Sequence, residues 1–406
     1  MRLFPTLILT SQAVIGFVEG SSSFVKTPQH KLSNVVDGNI HDLVNASPLL
    51  SLHRDLVEIE STTGSEYHAG RFLVEYLTRH NFTVETQLVT KAGSHAITAQ
   101  GSRVSKHDRF NVLAYPGRNR TTRALVTSHY DTVPPYWSYE VKGRDEIWGR
   151  GSVDAKGAVA AQIQAVEQLL CSKAIFEGDV ALLFVVGEET EGDGMATANK
   201  LGLSWETVIF GEPTELKLAS GHKGLVRLTV SATGRAGHSG YPELSVNANS
   251  MLLPALMALD QLDLPRSDNY GNSTLNIGRM EGGVAANVIP GYAEAEVAVR
   301  IAAGEVAEIE KSMLDAINAG GHELEVKFAS NKYGPVHVDS DVKGFDTIVV
   351  SYGTDVPLLR GEHKRYLYGP GSIFVAHSDN EHLTVGDLEG AVKGYKTLIR
   401  AALDAR

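Results

Sequence analysis

The segment VALLFVV, residues 180–186, is apolar at every position and is closed by Gly187. A strand with one wet face alternates polar and apolar residues, whereas one without alternation is buried on both faces. Sheets covered on both faces are built from parallel strands joined by helical crossovers, so this one run steers the chain toward an α/β design. Its neighbours agree. Strand-like runs are predicted at residues 123–128 (RALVTS) and 207–210, and helical periodicity at 49–59, 70–78 and 158–170. Strands alternating with helices of that length imply crossover connections.

After His222 the pattern changes. KGLVRLTVSATG alternates as a strand with one exposed face. A helix at 245–262, a strand pair at 274–280 and 292–301, a helix at 306–319 and a strand at 323–329 follow. Strand–helix–strand–strand–helix–strand is the order of the split βαβ sandwich. The expected fold is therefore α/β, a mostly parallel sheet with helices on both faces, plus an inserted ferredoxin-like α+β lid. The lid spans 222–330, and the main domain comprises 47–221 and 331–406, ending in the helical stretch VGDLEGAVKGYKTLIRAALDA.

The first 20 residues, MRLFPTLILTSQAVIGFVEG, carry Arg2, an apolar centre, and small residues at Val18 and Gly20. This is the layout of a signal peptide and predicts a secreted protein. Residues 21–46 read as a polar leader or surface segment. Asn-x-Ser/Thr triplets at Asn45, Asn81, Asn119 and Asn272 are glycosylation acceptors in a secreted chain. No later run reaches the ~18 apolar residues of a membrane span. A net charge of −11 speaks against nucleic acid and against an anionic membrane as partners. Cys171 is the single cysteine, which excludes an intrachain disulfide, and its helical apolar context predicts a packing residue.

Ligands of open parallel sheets collect beyond the carboxyl ends of the strands. Here those ends are one-sided in chemistry. RALVTS is followed by His129, Tyr130 and Asp131; ALLFVVG by Glu188 and Glu189; TVIFG by Glu212. The connecting loop WGRGSVDAKG carries Asp154, and a late apolar run in YGPGSIFVAHSDNEHL precedes His377. Singly, an acidic pair after a strand is ordinarily a solvated loop, and a lone histidine such as His322, His337, His363 or His382 is a surface or satisfied core residue. Jointly, imidazole and carboxylate at one rim suit zinc, with manganese or cobalt as substitutes. Adjacent glutamates then divide the work, one binding metal and the other moving protons as a general base.

The motifs SHYDTVPP, GRGSVDAKG, GEETEGDG, GEPTELK, GRAGHSGYP and GPGSIFVAHSDNEHL resemble the di-zinc exopeptidases and amidohydrolases. That family includes glutamate carboxypeptidase, acetylornithine deacetylase, succinyl-diaminopimelate desuccinylase and aminoacylase. The resemblance runs from about Ser51 to the C-terminus and implies a zinc-exopeptidase fold holding two Zn2+ per subunit. It implies that His129 and Glu212 bind one ion, that Glu189 and His377 bind the other, and that Asp154 bridges them. Asp131 would orient His129, and Glu188 would be the general base. In the lid, His238 would face the scissile carbonyl oxygen, while Asn287 and Arg300 would meet a substrate carboxylate. In relatives the lid forms the dimer contact, so a homodimer is implied. One departure is Ala155, where the family commonly has Met after the bridging Asp; it is expected to alter packing.

Secretion favours peptide substrates over intracellular metabolites, so the expected activity is a zinc carboxypeptidase. An N-acyl-amino-acid deacylase built on the same site is the alternative, and a metal-dead binding protein the remote one.

Overall fold

The computed structural model describes residues 40–90 and 108–404. The signal-peptide reading, residues 1–20, lies outside the described residues, as does most of the leader. The end of that leader is better ordered than a polar surface segment: Ile40–Ala46 is helical and buries Val44.

A six-stranded sheet forms the centre, in the order Phe82–Val89, Arg109–Pro116, Val180–Val185, Ala124–His129, Thr207–Gly211, Lys364–Tyr368. The last four are mutually parallel, and Arg109–Pro116 runs against both its neighbours. Val180–Val185 is buried throughout. Its side chains alternate between two cores: Val180, Leu182 and Phe184 enter one, Ala181, Leu183 and Val185 the other. Burying a large apolar side chain contributes about 1.5–3 kcal/mol, so a strand apolar on both faces stabilises both layers.

The first core is closed by the helices Pro48–Val57, Tyr67–Arg79, Lys156–Cys171 and Val385–Asp404. The second is closed by the short helix Asp193–Ala198 and a small sheet of Leu218–His222, Val336–His337 and Thr347–Val350. Cys171 corrects its expected role. It is the last residue of its helix and exposed, because it lies just over half a turn round the helix from the buried Leu169.

Beyond His222 a four-stranded antiparallel sheet takes the order Thr274–Gly282, Tyr292–Ile301, Gly224–Thr233, Glu325–Phe328. Helices Ala248–Asp260 and Val306–Ala319 pack on one face of it. The first of these starts later than its periodicity predicts. Pro242–Leu244 forms a separate 3-10 turn, and Asn247 caps the helix by accepting the Ser250 N–H at 3.2 Å. Tyr292–Ile301 alternates cleanly: Val297, Val299 and Ile301 go under the helices. Ala298 and Arg300 therefore point from the opposite face, which overhangs a cleft at the carboxyl ends of the central strands.

Candidate active site

His129 is the final residue of its strand. Gly187, with φ of 79°, ends the Val180–Val185 segment and turns Glu188 and Glu189 onto the rim. A side chain there would meet the Arg109 guanidinium at 2.6 Å, so glycine is required on two counts. Glu212 follows Thr207–Gly211 in the same way.

These side chains converge. His129 Nε2 lies 3.1 Å from Asp154 Oδ1 and 3.8 Å from Glu212 Oε1. His377 Nε2 lies 3.2 Å from Asp154 Oδ2 and 2.9 Å from Glu189 Oε2. The two oxygens of Asp154 thus face two different histidine–glutamate pairs. Ligand atoms of His129, Asp154 and Glu189 fall within 4.8 Å of one another, as do those of His129, Glu188 and Glu212.

Asp131 does more than orient His129. The His129 Nδ1–H donates to the Asp131 carbonyl at 3.0 Å, which leaves Nε2 as the ligand nitrogen of the neutral ring. The Asp131 carboxylate accepts the Thr63 hydroxyl at 2.7 Å and the backbone N–H groups of Glu188 and Glu189 at 3.2 and 3.4 Å. One residue therefore holds both the histidine and the glutamate pair in place.

His377 reaches the site by an unexpected route. The apolar run before it is a turn and not a strand, and Phe374 within it is 87% exposed. The strand has already ended at Tyr368. Gly371, with φ of 75°, then reverses the chain where a Cβ would press on Val153 at 2.8 Å. His377 itself adopts a φ of 60° on this turn.

Sequence reasoning passed over Glu381, four residues beyond His377 in a motif already singled out. Glu381 is fully buried; it accepts the N–H groups of Val153 and Asp154 at 3.1 Å each and pairs with Arg150 at 2.6 Å. It fixes the backbone that carries Asp154. The signal was an acid in a short polar run, which looks like solvated loop until its partners 231 residues away are known.

The electrostatics are those of crowded, buried acids. Burial pushes Glu188 and Glu212 well above the usual carboxylate range, and their mutual repulsion or that of Asp154 adds to it. Burial and the Asp154 charge raise Glu189 to about 7. Burial opposes the charged form of His129, but hydrogen bonds to Asp131 and Asp154 outweigh it and hold the ring well above its ordinary value. Hydrogen bonds to Asp154 and Glu189 raise His377 to about 10. Glu189 Oε1 is buried without a partner.

Arg300 lines the same cleft, with Tyr333, Tyr352 and Asp355. His238 and Asn287 do not line it. His238 is exposed on the short strand Gly237–His238, paired with Val288–Ile289, and Asn287 is exposed beside it, its carbonyl accepting the Ser239 N–H at 3.1 Å. Asn45, Asn81, Asn119 and Asn272 are all exposed. Ala155 is fully buried, and His222 is buried and tied to Thr354 at 3.0 Å, a satisfied core histidine.

An α/β core of zinc-exopeptidase type, with an inserted four-stranded lid and an acid–imidazole rim, defines the class. Comparison with known proteins agrees. The model of the peptidase dimerisation domain matches residues 220–325. A "probable carboxypeptidase" of Aspergillus oryzae is 47% identical over 399 residues, covering 90% of each chain. Among solved structures, an M20 family metallo-carboxypeptidase of Sulfolobus solfataricus superposes with a TM-score of 0.69 at 17% identity, over 88% of this chain and 99% of that one. A dinuclear metal binding peptidase of the same family from Bacillus subtilis gives 0.58 at 15% identity, over 87% and 96%. This chain belongs to the M20 peptidase family.

Proposed function

We propose that the protein is a secreted, zinc-dependent carboxypeptidase that hydrolyses the amide bond beside a free C-terminal carboxylate. The observation that carries this reading is Asp154, whose Oδ1 meets His129, itself 3.8 Å from Glu212, while Oδ2 meets His377, itself 2.9 Å from Glu189. Four carboxylates against two imidazoles, with one carboxylate oxygen buried and unpaired, is a donor set short of positive charge. Divalent cations fit it. His129, Glu212 and Asp154 would hold one, and His377, Glu189 and Asp154 the other.

Such ions, when bound, polarise a carbonyl and acidify water. The remaining work falls to the chain. Glu188 takes the proton of the attacking water at its carboxylate and delivers it to the leaving amine, and burial raises its proton affinity, which suits a base working at neutral pH. Arg300 binds the substrate carboxylate: its guanidinium lines the cleft, and no hydrogen bond or ion pair engages it among the described residues. The names of the fungal relatives support carboxypeptidase activity. The apolar N-terminus and exposed sequons support secretion. Among the described residues, eight of the twelve exposed large apolar side chains, Tyr241 to Tyr292, lie on the lid and support a homodimer through it.

The test is substrate choice. N-acetyl-Ala-Ala should release alanine, and its C-terminal amide should react at least ~10-fold more slowly, because the half-buried Arg300 guanidinium would lose its charged partner. Faster cleavage of N-acetyl-alanine than of any peptide would put the deacylase in its place.

A second expectation concerns pH. In the metal-free site Glu189 is raised to about 7 and His377 to about 10, so both ligands hold protons up to those values. Metal must displace them, so zinc affinity should rise with pH from about 7 to about 10, and binding should release protons. Calorimetric titration in two buffers of different ionisation enthalpy measures this directly. Affinity independent of pH would contradict the ligand set.

A further inference from the structure

The cleft contains an acid that the chemistry above leaves idle. Asp355 is 5% exposed and lines the cleft together with Asp154, Glu188 and Arg300. It belongs to neither group of candidate metal ligands. Its Oδ1 is buried with no hydrogen-bond partner, and among the described residues no cation pairs with its carboxylate. Arg227 lines the same cleft but is engaged by Glu191 at 2.9 Å. A carboxylate withdrawn from water and left unpaired is stabilised by any cation that reaches it, and this one opens on the cleft.

Asn331 stands beside it. A Cβ placed on Gly192 would lie 3.4 Å from Asp355 Oδ1 and 3.6 Å from Asn331 Nδ2. That Nδ2 donates to the Glu191 carbonyl at 3.1 Å, which fixes the amide and leaves Oδ1 buried without a donor. A carboxylate and an amide oxygen, both lacking donors, call for a cation that brings several N–H groups.

We propose that Asp355 and Asn331 form a subsite for an alkylammonium group of the substrate. The cleft would then accept both charged ends of a short zwitterionic peptide, the carboxylate at Arg300 and the α-amino group at Asp355. The preferred substrates become dipeptides with a free N-terminus. This deepens, and rests on, the carboxypeptidase reading.

Binding tests it without relying on turnover. Zinc-loaded Glu188→Gln protein is titrated calorimetrically with Ala-Ala, N-acetyl-Ala-Ala and N-acetyl-Lys-Ala. Ala-Ala should bind roughly 10- to 100-fold more tightly than its acetylated form. Adding Asp355→Asn should bring that ratio close to one, and Asn331→Leu should shift it in the same direction. If N-acetyl-Lys-Ala recovers the affinity and loses it with Asp355→Asn, the ammonium group recognised is that of a side chain. Equal affinity for Ala-Ala and both acetylated peptides, or a ratio unmoved by both substitutions, overturns the subsite. Preferential binding of Ala-Ala by an enzyme that hydrolyses no peptide would leave the subsite standing and remove the carboxypeptidase reading instead.

Discussion

Glu188→Gln protein should keep its full complement of metal and lose turnover by roughly 10²–10⁴-fold, the usual contribution of a general base. The amide is nearly isosteric, so the loop remains held by the Asp131 carboxylate through the backbone N–H groups of Glu188 and Glu189. What disappears is the ability to accept a proton. The adjacent residue is the control. Glu189 lies 2.9 Å from His377 Nε2 and one of its oxygens is buried without a partner, so Glu189→Gln should weaken metal binding first. Metal content by mass spectrometry alongside kcat separates the two. Because Glu188 shares its ligand group with His129 and Glu212, the converse result is concrete. Metal lost from Glu188→Gln and kept in Glu189→Gln would exchange the two assignments.

His238→Ala should lower kcat by about 10²–10³-fold while leaving metal content unchanged and moving KM little, as for loss of one oxyanion donor. The imidazole is prepared for donation. Its Nδ1 accepts the Gly240 N–H at 3.0 Å, so the neutral ring carries its proton on Nε2, free of any partner among the described residues. Yet His238 is exposed and is absent from the cleft of its own chain. The exposed apolar side chains around it, Tyr241, Leu244 and Val246, mark a surface suited to a second copy of the lid. His238 is therefore expected to serve the neighbouring subunit's cleft, with exposed Asn287 at its side. Mixing inactive Glu188→Gln and His238→Ala proteins under subunit exchange should then restore part of the activity, since one hybrid cleft has both groups intact. Full activity of His238→Ala alone would refute the donor role.

The acid–imidazole rim was legible because strand ends are a local signal. A strand must stop where its apolar residues stop, and the next side chains emerge at the sheet's edge. His129, Glu188 and Glu212 were found by that rule alone. His377 was found as a residue but misplaced, since a run of apolar letters does not reveal that Gly371 has already turned the chain. Glu381 escaped because its function is a set of contacts with Arg150, Val153 and Asp154, none of them near it in sequence.

Cys171 failed for a different reason: its helix is rich in apolar residues, so composition did not show that Cys171 falls outside the face that buries Val166 and Leu169. The lid shows the same division. Alternation along KGLVRLTVSATG specified a strand with one exposed face, and the folded chain puts Leu225, Arg227, Ala298 and Arg300 on the face away from the helices. That this bare face overhangs the acid–imidazole rim, and that Asp355 and Asn331 join its wall, came only with the folded chain. Hydrophobic period and strand termination are written within a few residues, so the sequence by itself determined the layers, their order and the chemistry of the rim. Pairings across hundreds of residues depend on how the layers pack, so the tertiary structure alone decided the buttress at Glu381, the cleft wall and the placement of His238 outside its own cleft.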